Sequence, residues 1–107
     1  MSVEIVWDRL ALTDRENIFL YLNQEAGAAV AIAVDDRIVS LIEILRDNPM
    51  AGVRAGRNEN QRKLVIPHFP FIIVYSTAEH RVSVLRILHT SRKMTELYLN
   101  REGTLGQ

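Results

Sequence analysis

The chain has 107 residues, of which 48% are hydrophobic and 24% are charged, with a formal net charge of zero and no cysteine. This composition is typical of one folded domain over residues 1–107 and excludes global disorder, a disulfide framework and a thiolate metal site. No apolar run is long enough to span a bilayer, and the first residues lack the basic and apolar regions of a secretory signal. We therefore expect a cytoplasmic protein with no membrane partner.

The charges are unevenly distributed along the chain. Residues 1–52 carry four basic and nine acidic side chains, a net charge of −5. Residues 53–93 carry eight basic and two acidic side chains, a net charge of +6, and residues 94–107 carry −1. A basic half can contact an acidic protein partner or a phosphate backbone, but a solvated sheet face and loop would give the same count.

The first half of the chain predicts a strand followed by two helices. Val3–Trp7 alternates as a strand does, and Asp8 is a suitable N-cap for a helix over residues 9–25. Gly27 is predicted to separate this helix from a second one, which ends at Asn48-Pro49. An apolar stripe with a spacing of three or four residues predicts the core-facing side of the second helix. The stripe consists of Val30, Val34, Ile38, Leu41 and Leu45.

The second half predicts three antiparallel strands after a loop over residues 50–61. The first strand holds Arg62 and Lys63, the second includes Phe71–Tyr75 with apolar residues on both faces, and the third covers Arg81–His89. A short C-terminal helix over Met94, Leu97 and Tyr98 could follow. The predicted fold class is α+β. It has an N-terminal strand and an α-helical hairpin that packs on a small antiparallel sheet, in the order β-α-α-β-β-β.

Motifs that would carry catalysis are scarce. The chain has no phosphate-binding glycine loop, nucleophile elbow or metal-ligand cluster, so we expect neither a cofactor nor a metal. His89, Arg92 and Tyr98 lie close together in sequence, and Lys63 belongs to a neighbouring strand. Such a set could transfer a proton while it holds an RNA phosphate. The same spacing also fits a His89 that ends a strand and a Tyr98 that packs on the sheet, and spacing alone favours this structural interpretation.

Several short patterns follow one another in a specific order. They are Ala11 and Asp14–Tyr21 in the first helix, Leu45–Pro49 and Gly52 after the second, then Arg62, Phe71–Tyr75, Val82–His89 and Arg92. In this order and spacing, over residues 3–98, they resemble the RelE/ParE superfamily of bacterial toxins from type II toxin–antitoxin systems. The resemblance implies a toxin that inhibits bacterial growth, and a cognate antitoxin that binds and neutralises it.

This superfamily combines two activities on one fold, so the fold does not choose between them. RelE-like members cleave messenger RNA in the ribosome, and Lys63, Arg92 and Tyr98 fall near their catalytic positions. ParE-like members inhibit DNA gyrase without known nuclease chemistry. Here Ile72 stands where RelE-like toxins carry a phosphate-binding arginine, the helical hairpin is long, and the chain is neutral overall. These features favour the ParE side.

Three hypotheses follow from the resemblance. The favoured one is a ParE-like gyrase inhibitor that acts by binding and is not an enzyme. The second is a ribosome-dependent endoribonuclease, an mRNA interferase, with Lys63, His89, Arg92 and Tyr98 as catalytic residues. The third is a non-toxic domain that only binds its antitoxin. Contacts with the target or the antitoxin are expected from Arg62, Lys63, Arg81, Arg86, Arg92 and Lys93.

Overall fold

In the computed structural model, which describes residues 2–90, two helices cover one face of a five-stranded sheet. The elements in chain order are β1 (Glu4–Trp7), α1 (Arg9–Ala26), α2 (Ala28–Ile44), β2 (Val53–Arg54), β3 (Gln61–Val65), β4 (Phe71–Ala78) and β5 (Arg81–His89). The strands lie in the order β1-β5-β4-β3-β2 across the sheet. The predicted α+β fold class, with an N-terminal strand and a helical hairpin, is confirmed.

The sheet differs from the expected antiparallel meander in two details. β1 runs parallel to β5, with Glu4 opposite Arg81 and Trp7 opposite Val84, so the sheet is mixed. The two-residue strand β2 pairs with β3 inside the segment that was expected to be loop. Alternation in the sequence cannot reveal the direction of β1, because parallel and antiparallel strands share the same two-residue period. β2 could not be predicted either, because two residues are too few to show an alternating pattern.

A glycine separates the two helices, as the sequence predicts. Gly27 has a φ angle of 96°, and its N–H donates to the carbonyl oxygens of Leu22 and Asn23. Since this φ is disfavoured for residues with a Cβ, glycine suits the end of α1. Beyond this connection, the Arg15 guanidinium joins α1 to α2 through two hydrogen bonds to Asp35, at 2.7 and 2.9 Å.

The main core lies between the helices and one face of the sheet. Val34, Ile38, Leu41 and Leu45 are all buried, which confirms four of the five positions of the predicted stripe. Val30, the fifth, is 40% exposed because it lies in the first turn of α2, where the neighbouring residues 23–29 are also exposed. The sheet residues of this core are Phe71, Ile73, Tyr75, Val82, Val84 and Ile87.

A second, smaller apolar cluster lies on the opposite face of the sheet. It consists of the buried residues Ile72, Val74 and Leu88, with the partly buried Leu85 packed against them. β4 is therefore buried on both faces, as its sequence predicts. No helix within residues 2–90 is both long and apolar enough to cross a membrane. The predicted C-terminal helix lies outside the described residues.

Candidate functional site

The predicted contact residues lie on two strands that are separated by β4. Arg62 and Lys63 belong to β3, whereas Arg81 and Arg86 belong to β5. Arg81 is exposed at the start of β5 and forms an ion pair of 3.4 Å with Glu4 on the neighbouring edge strand β1. One strand, β4, therefore lies between the two pairs of cations. Arg92 and Lys93 lie outside the described residues.

Arg62 faces the loop that follows α2. Its Nη1 donates to the carbonyl oxygen of Gly52 at 2.6 Å and to that of Met50 at 3.4 Å. Its Nε is buried and has no hydrogen-bond partner within residues 2–90. Because the planar guanidinium presents its donors in a fixed fork, contacts with the loop limit how it can meet a carboxylate or a phosphate elsewhere.

Tyr75 also binds the loop that follows α2. It lies on the central strand β4, opposite Arg62 in the strand register. Its buried hydroxyl accepts a hydrogen bond from the Gly52 N–H and donates one to the Pro49 carbonyl oxygen, both at 2.8 Å. A Cβ on residue 52 would lie 2.5 Å from the Lys63 carbonyl oxygen and 2.8 Å from the Tyr75 hydroxyl, so only glycine fits there. We call Arg62, Tyr75 and Gly52 the loop clamp.

Because the Tyr75 hydroxyl is buried, we expect the folded protein to lose stability at high pH. Burial raises the pKa of Tyr75 above its ordinary value of 10.0, against the opposing effects of the Gly52 hydrogen bond and the Arg62 charge. Below the pKa that Tyr75 has in the unfolded chain, its neutral hydroxyl contributes its full share of stability. This contribution is lost as the pH rises through the pKa of Tyr75 in the folded protein. Urea unfolding should therefore show a midpoint that falls above about pH 10. Tyr75→Phe should start from a lower midpoint and fall less steeply, and an equal slope would contradict this role.

Arg86 connects β5 to α1. Its Nε and Nη2 donate to the two carboxylate oxygens of Asp14, at 2.7 and 3.0 Å, and the N–H of Ile87 donates to the same carboxylate at 2.9 Å. Both side chains are largely buried. Bidentate pairs of this kind hold both partners in one geometry, so this contact fixes α1 on the sheet.

The described residues proposed for nuclease chemistry do not converge. Lys63 lies opposite Val74, which belongs to the cluster on the outer face of the sheet. His89 lies opposite Phe71 in the main core face and packs edge-on against its ring, with 5.4 Å between centroids. The two positions are two strands and three residues apart, which separates their Cα atoms by about 14 Å. Paired residues share a face, so the two side chains leave opposite faces of the sheet.

His89 also borders a small pocket at the end of the sheet. The pocket has a volume of about 280 Å³ and is lined by Asn17, Ile18, Tyr21, Phe71 and His89. Arg92 and Tyr98, the other members of the proposed catalytic set, lie outside the described residues. Within residues 2–90, no group of three or more histidine or acidic side chains is placed to hold a metal ion.

Two exposed arginines, Arg54 and Arg57, are missing from the contact residues expected from the sequence. Arg54 lies on the edge strand β2, and Arg57 lies in the connection between β2 and β3. Their charge was visible, because residues 53–63 hold four basic side chains against one acidic side chain. The sequence does not reveal that they lie at the edge of the sheet, because β2 is too short to be recognised from a sequence pattern.

Two comparisons place this fold among known proteins. The family model described as "ParE toxin of type II toxin-antitoxin system, parDE" matches residues 5–94. The fold is also similar to a chain of the structure titled "Chromosomal ParDE TA system from P. aeruginosa", with a TM-score of 0.72 and 22% sequence identity. That match covers 84% of this chain and 98% of the other. No curated protein sequence matches significantly.

Proposed function

Because the chain belongs to the ParE toxin family of type II toxin–antitoxin systems, we propose that it inhibits bacterial growth by binding DNA gyrase, and that a cognate antitoxin neutralises it. The family match over residues 5–94 is the observation that carries this proposal. The ParE side of the superfamily acts by inhibiting gyrase, as the resemblance in the sequence implies. The antitoxin is a protein partner, and the mechanism requires no cofactor.

The geometry of the described residues supports inhibition by binding rather than RNA cleavage. A nuclease needs a phosphate clamp and a proton-transfer group within reach of one scissile bond. Lys63 and His89 leave opposite faces of the sheet, at a separation of about 14 Å. The intervening strand carries Ile72 where a third cation would be needed, and the loss of one such donor typically costs roughly 10²–10³ in rate.

An inhibitor that acts by binding needs only a complementary surface. Among the proposed contact residues, Arg81 is exposed and Lys63 is half-buried, so both can reach a partner. Arg62 and Arg86 make hydrogen bonds to the protein itself, which supports a mainly structural role for these two. Arg92 and Lys93 remain predictions from the sequence.

Two assays with purified protein separate the two targets. We expect the protein to block supercoiling of a relaxed plasmid by DNA gyrase, and its expression to arrest growth with DNA damage and filamentation. Primer extension on ribosome-bound message should show no cleavage at the ribosomal A-site. The Lys63→Ala variant should likewise show no cleavage, since we assign no catalytic role to Lys63.

Each alternative has its own signature in the same assays. Efficient A-site cleavage that Arg92→Ala or Tyr98→Phe abolishes would overturn gyrase inhibition in favour of the endoribonuclease. Normal growth during expression, together with tight binding of the antitoxin, would instead identify a domain that has lost its toxicity.

A further inference from the structure

A groove runs along the outer side of the helical hairpin. It has a volume of about 580 Å³ and is lined by side chains of α1 together with Asp35 of α2. Leu12 and Leu20, two of the α1 residues that line it, are 48% and 57% exposed. Exposed leucines that share a concave surface indicate a binding site, whereas leucines scattered singly over a surface do not. We call this surface the α1 groove.

Contacts between the two helices hold the α1 groove in a fixed shape. Arg15 and Asp35 both line the groove, and their two hydrogen bonds of 2.7 and 2.9 Å connect α1 to α2. The guanidinium of Arg15 also lies 5.3 Å from the centroid of the Trp7 ring, which adds a cation–π contact. A binding partner therefore meets a preformed surface and does not have to order it.

Two opposite charges in the α1 groove have no partner within the protein. Arg9 and Glu16 both line the groove, and both are exposed. In the part of the chain that the structure describes, neither side chain forms an ion pair. The two residues are seven positions apart, close to two helical turns, so they lie on the same side of α1 at a separation of about 10 Å. Leu12 and Thr13 lie midway between them.

This arrangement of charges is complementary to itself. A second copy of the chain can pack its α1 antiparallel to the first, with a twofold axis that passes between Leu12 and Thr13. Each Arg9 then lies opposite the Glu16 of the other copy, because a twofold axis makes every contact occur twice. The same axis places the two Leu12 side chains close to the centre of the contact. Since the formal net charge of the chain is zero, two copies do not repel each other overall.

Other kinds of partner fit the α1 groove less well. Residues 1–52 carry a net charge of −5, which repels a nucleic acid or an acidic peptide. A small ligand would leave the two-turn spacing of Arg9 and Glu16 without a role. We propose that two copies of this chain associate through their α1 grooves as a twofold symmetric dimer. The proposal does not depend on gyrase as the target.

Charge reversal followed by charge exchange tests this dimer. Analytical ultracentrifugation of the whole chain should show a monomer–dimer equilibrium with a Kd of roughly 1–100 µM, since a contact centred on one helix is small. Arg9→Glu alone creates two like-charge contacts across the axis, and so does Glu16→Arg alone. Each should therefore weaken the dimer about tenfold or more. The double variant Arg9→Glu/Glu16→Arg exchanges the charges and should return the Kd to within about threefold of wild type.

Two control variants change the helical hairpin outside the α1 groove. Arg37→Glu makes the same change in charge as Arg9→Glu at an exposed position of α2, and it should leave the Kd unchanged. Leu12→Ser should weaken the dimer. Leu10→Ser should not, because Leu10 is 58% exposed but does not line the groove. Circular dichroism should show the same helix content in every variant, which separates a lost dimer from a lost fold.

Several results would overturn the dimer. A wild-type chain that stays monomeric up to about 1 mM would do so directly. A double variant as weak as the single variants would show that Arg9 and Glu16 do not face each other. An equal loss for Arg37→Glu would reduce the effect to overall charge. If the wild-type chain is monomeric and Arg9→Glu instead weakens binding of the purified antitoxin, the groove belongs to that partner and self-association is wrong.

Discussion

Replacing Ile38 with alanine is expected to lower the free energy of unfolding by roughly 2–5 kcal/mol. Ile38 is fully buried in the middle of α2, in the core between the helices and the sheet. The change removes apolar groups from this core and leaves a cavity that the neighbouring strands can fill only in part. The loss should appear as a lower midpoint in urea unfolding followed by circular dichroism.

Val30 provides a matched control on the same helix. It belongs to the same apolar stripe in the sequence, but it is 40% exposed in the structure. Val30→Ala should therefore change the free energy of unfolding by about 0.5 kcal/mol or less. Similar losses at both positions would mean that the buried face of α2 is assigned incorrectly.

Asp14→Ala is expected to lower the free energy of unfolding by about 2–4 kcal/mol. The change removes both hydrogen bonds that the Arg86 guanidinium donates to the carboxylate, and it removes the acceptor of the Ile87 N–H. Since both side chains keep some contact with solvent, the cost should be below that of breaking a fully buried pair. Chemical unfolding measures the effect directly.

Two control variants show which property of Asp14 matters. Asp14→Asn tests the negative charge apart from the hydrogen bonds, and Asp8→Ala tests the loss of an aspartate elsewhere on the chain. Asparagine keeps an acceptor for the Ile87 N–H but loses the negative charge, so we expect an intermediate loss. Asp8 is exposed and makes no side-chain hydrogen bond at the start of α1, so Asp8→Ala should have little effect. An Asp14→Ala protein as stable as the Asp8→Ala protein would show that the contact between α1 and β5 does not stabilise the fold.

The sequence predicts those parts of the fold that depend on local periodicity. The stripe from Val34 to Leu45 and the doubly apolar strand around Ile73 follow from the spacing of buried side chains, and Gly27 follows from the backbone it permits. Val30 shows the limit of this reasoning, because periodicity identifies a helix face but does not show where along the helix that face stops being covered.

The candidate site is harder to predict because it depends on contacts between distant residues. A basic residue in a sequence does not reveal whether its charge has a partner within the protein. Arg86 meets Asp14 across 72 positions, and Arg62 binds the backbone of a loop ten residues earlier. Arg54 became a contact candidate only once the structure placed it on an edge strand.

The pairing of β1 with β5 has a consequence for how the protein is made. Glu4 and Trp7 find their parallel partners only at Arg81 and Val84, so the first strand of the chain remains without its neighbour until most of the chain has been translated. Contacts this distant in sequence also slow folding, because the entropy cost of closing a long segment must be met before they form. Premature termination before β5 would leave a fragment that cannot complete its sheet. Ribosomes that abandon the message early would therefore release no folded toxin.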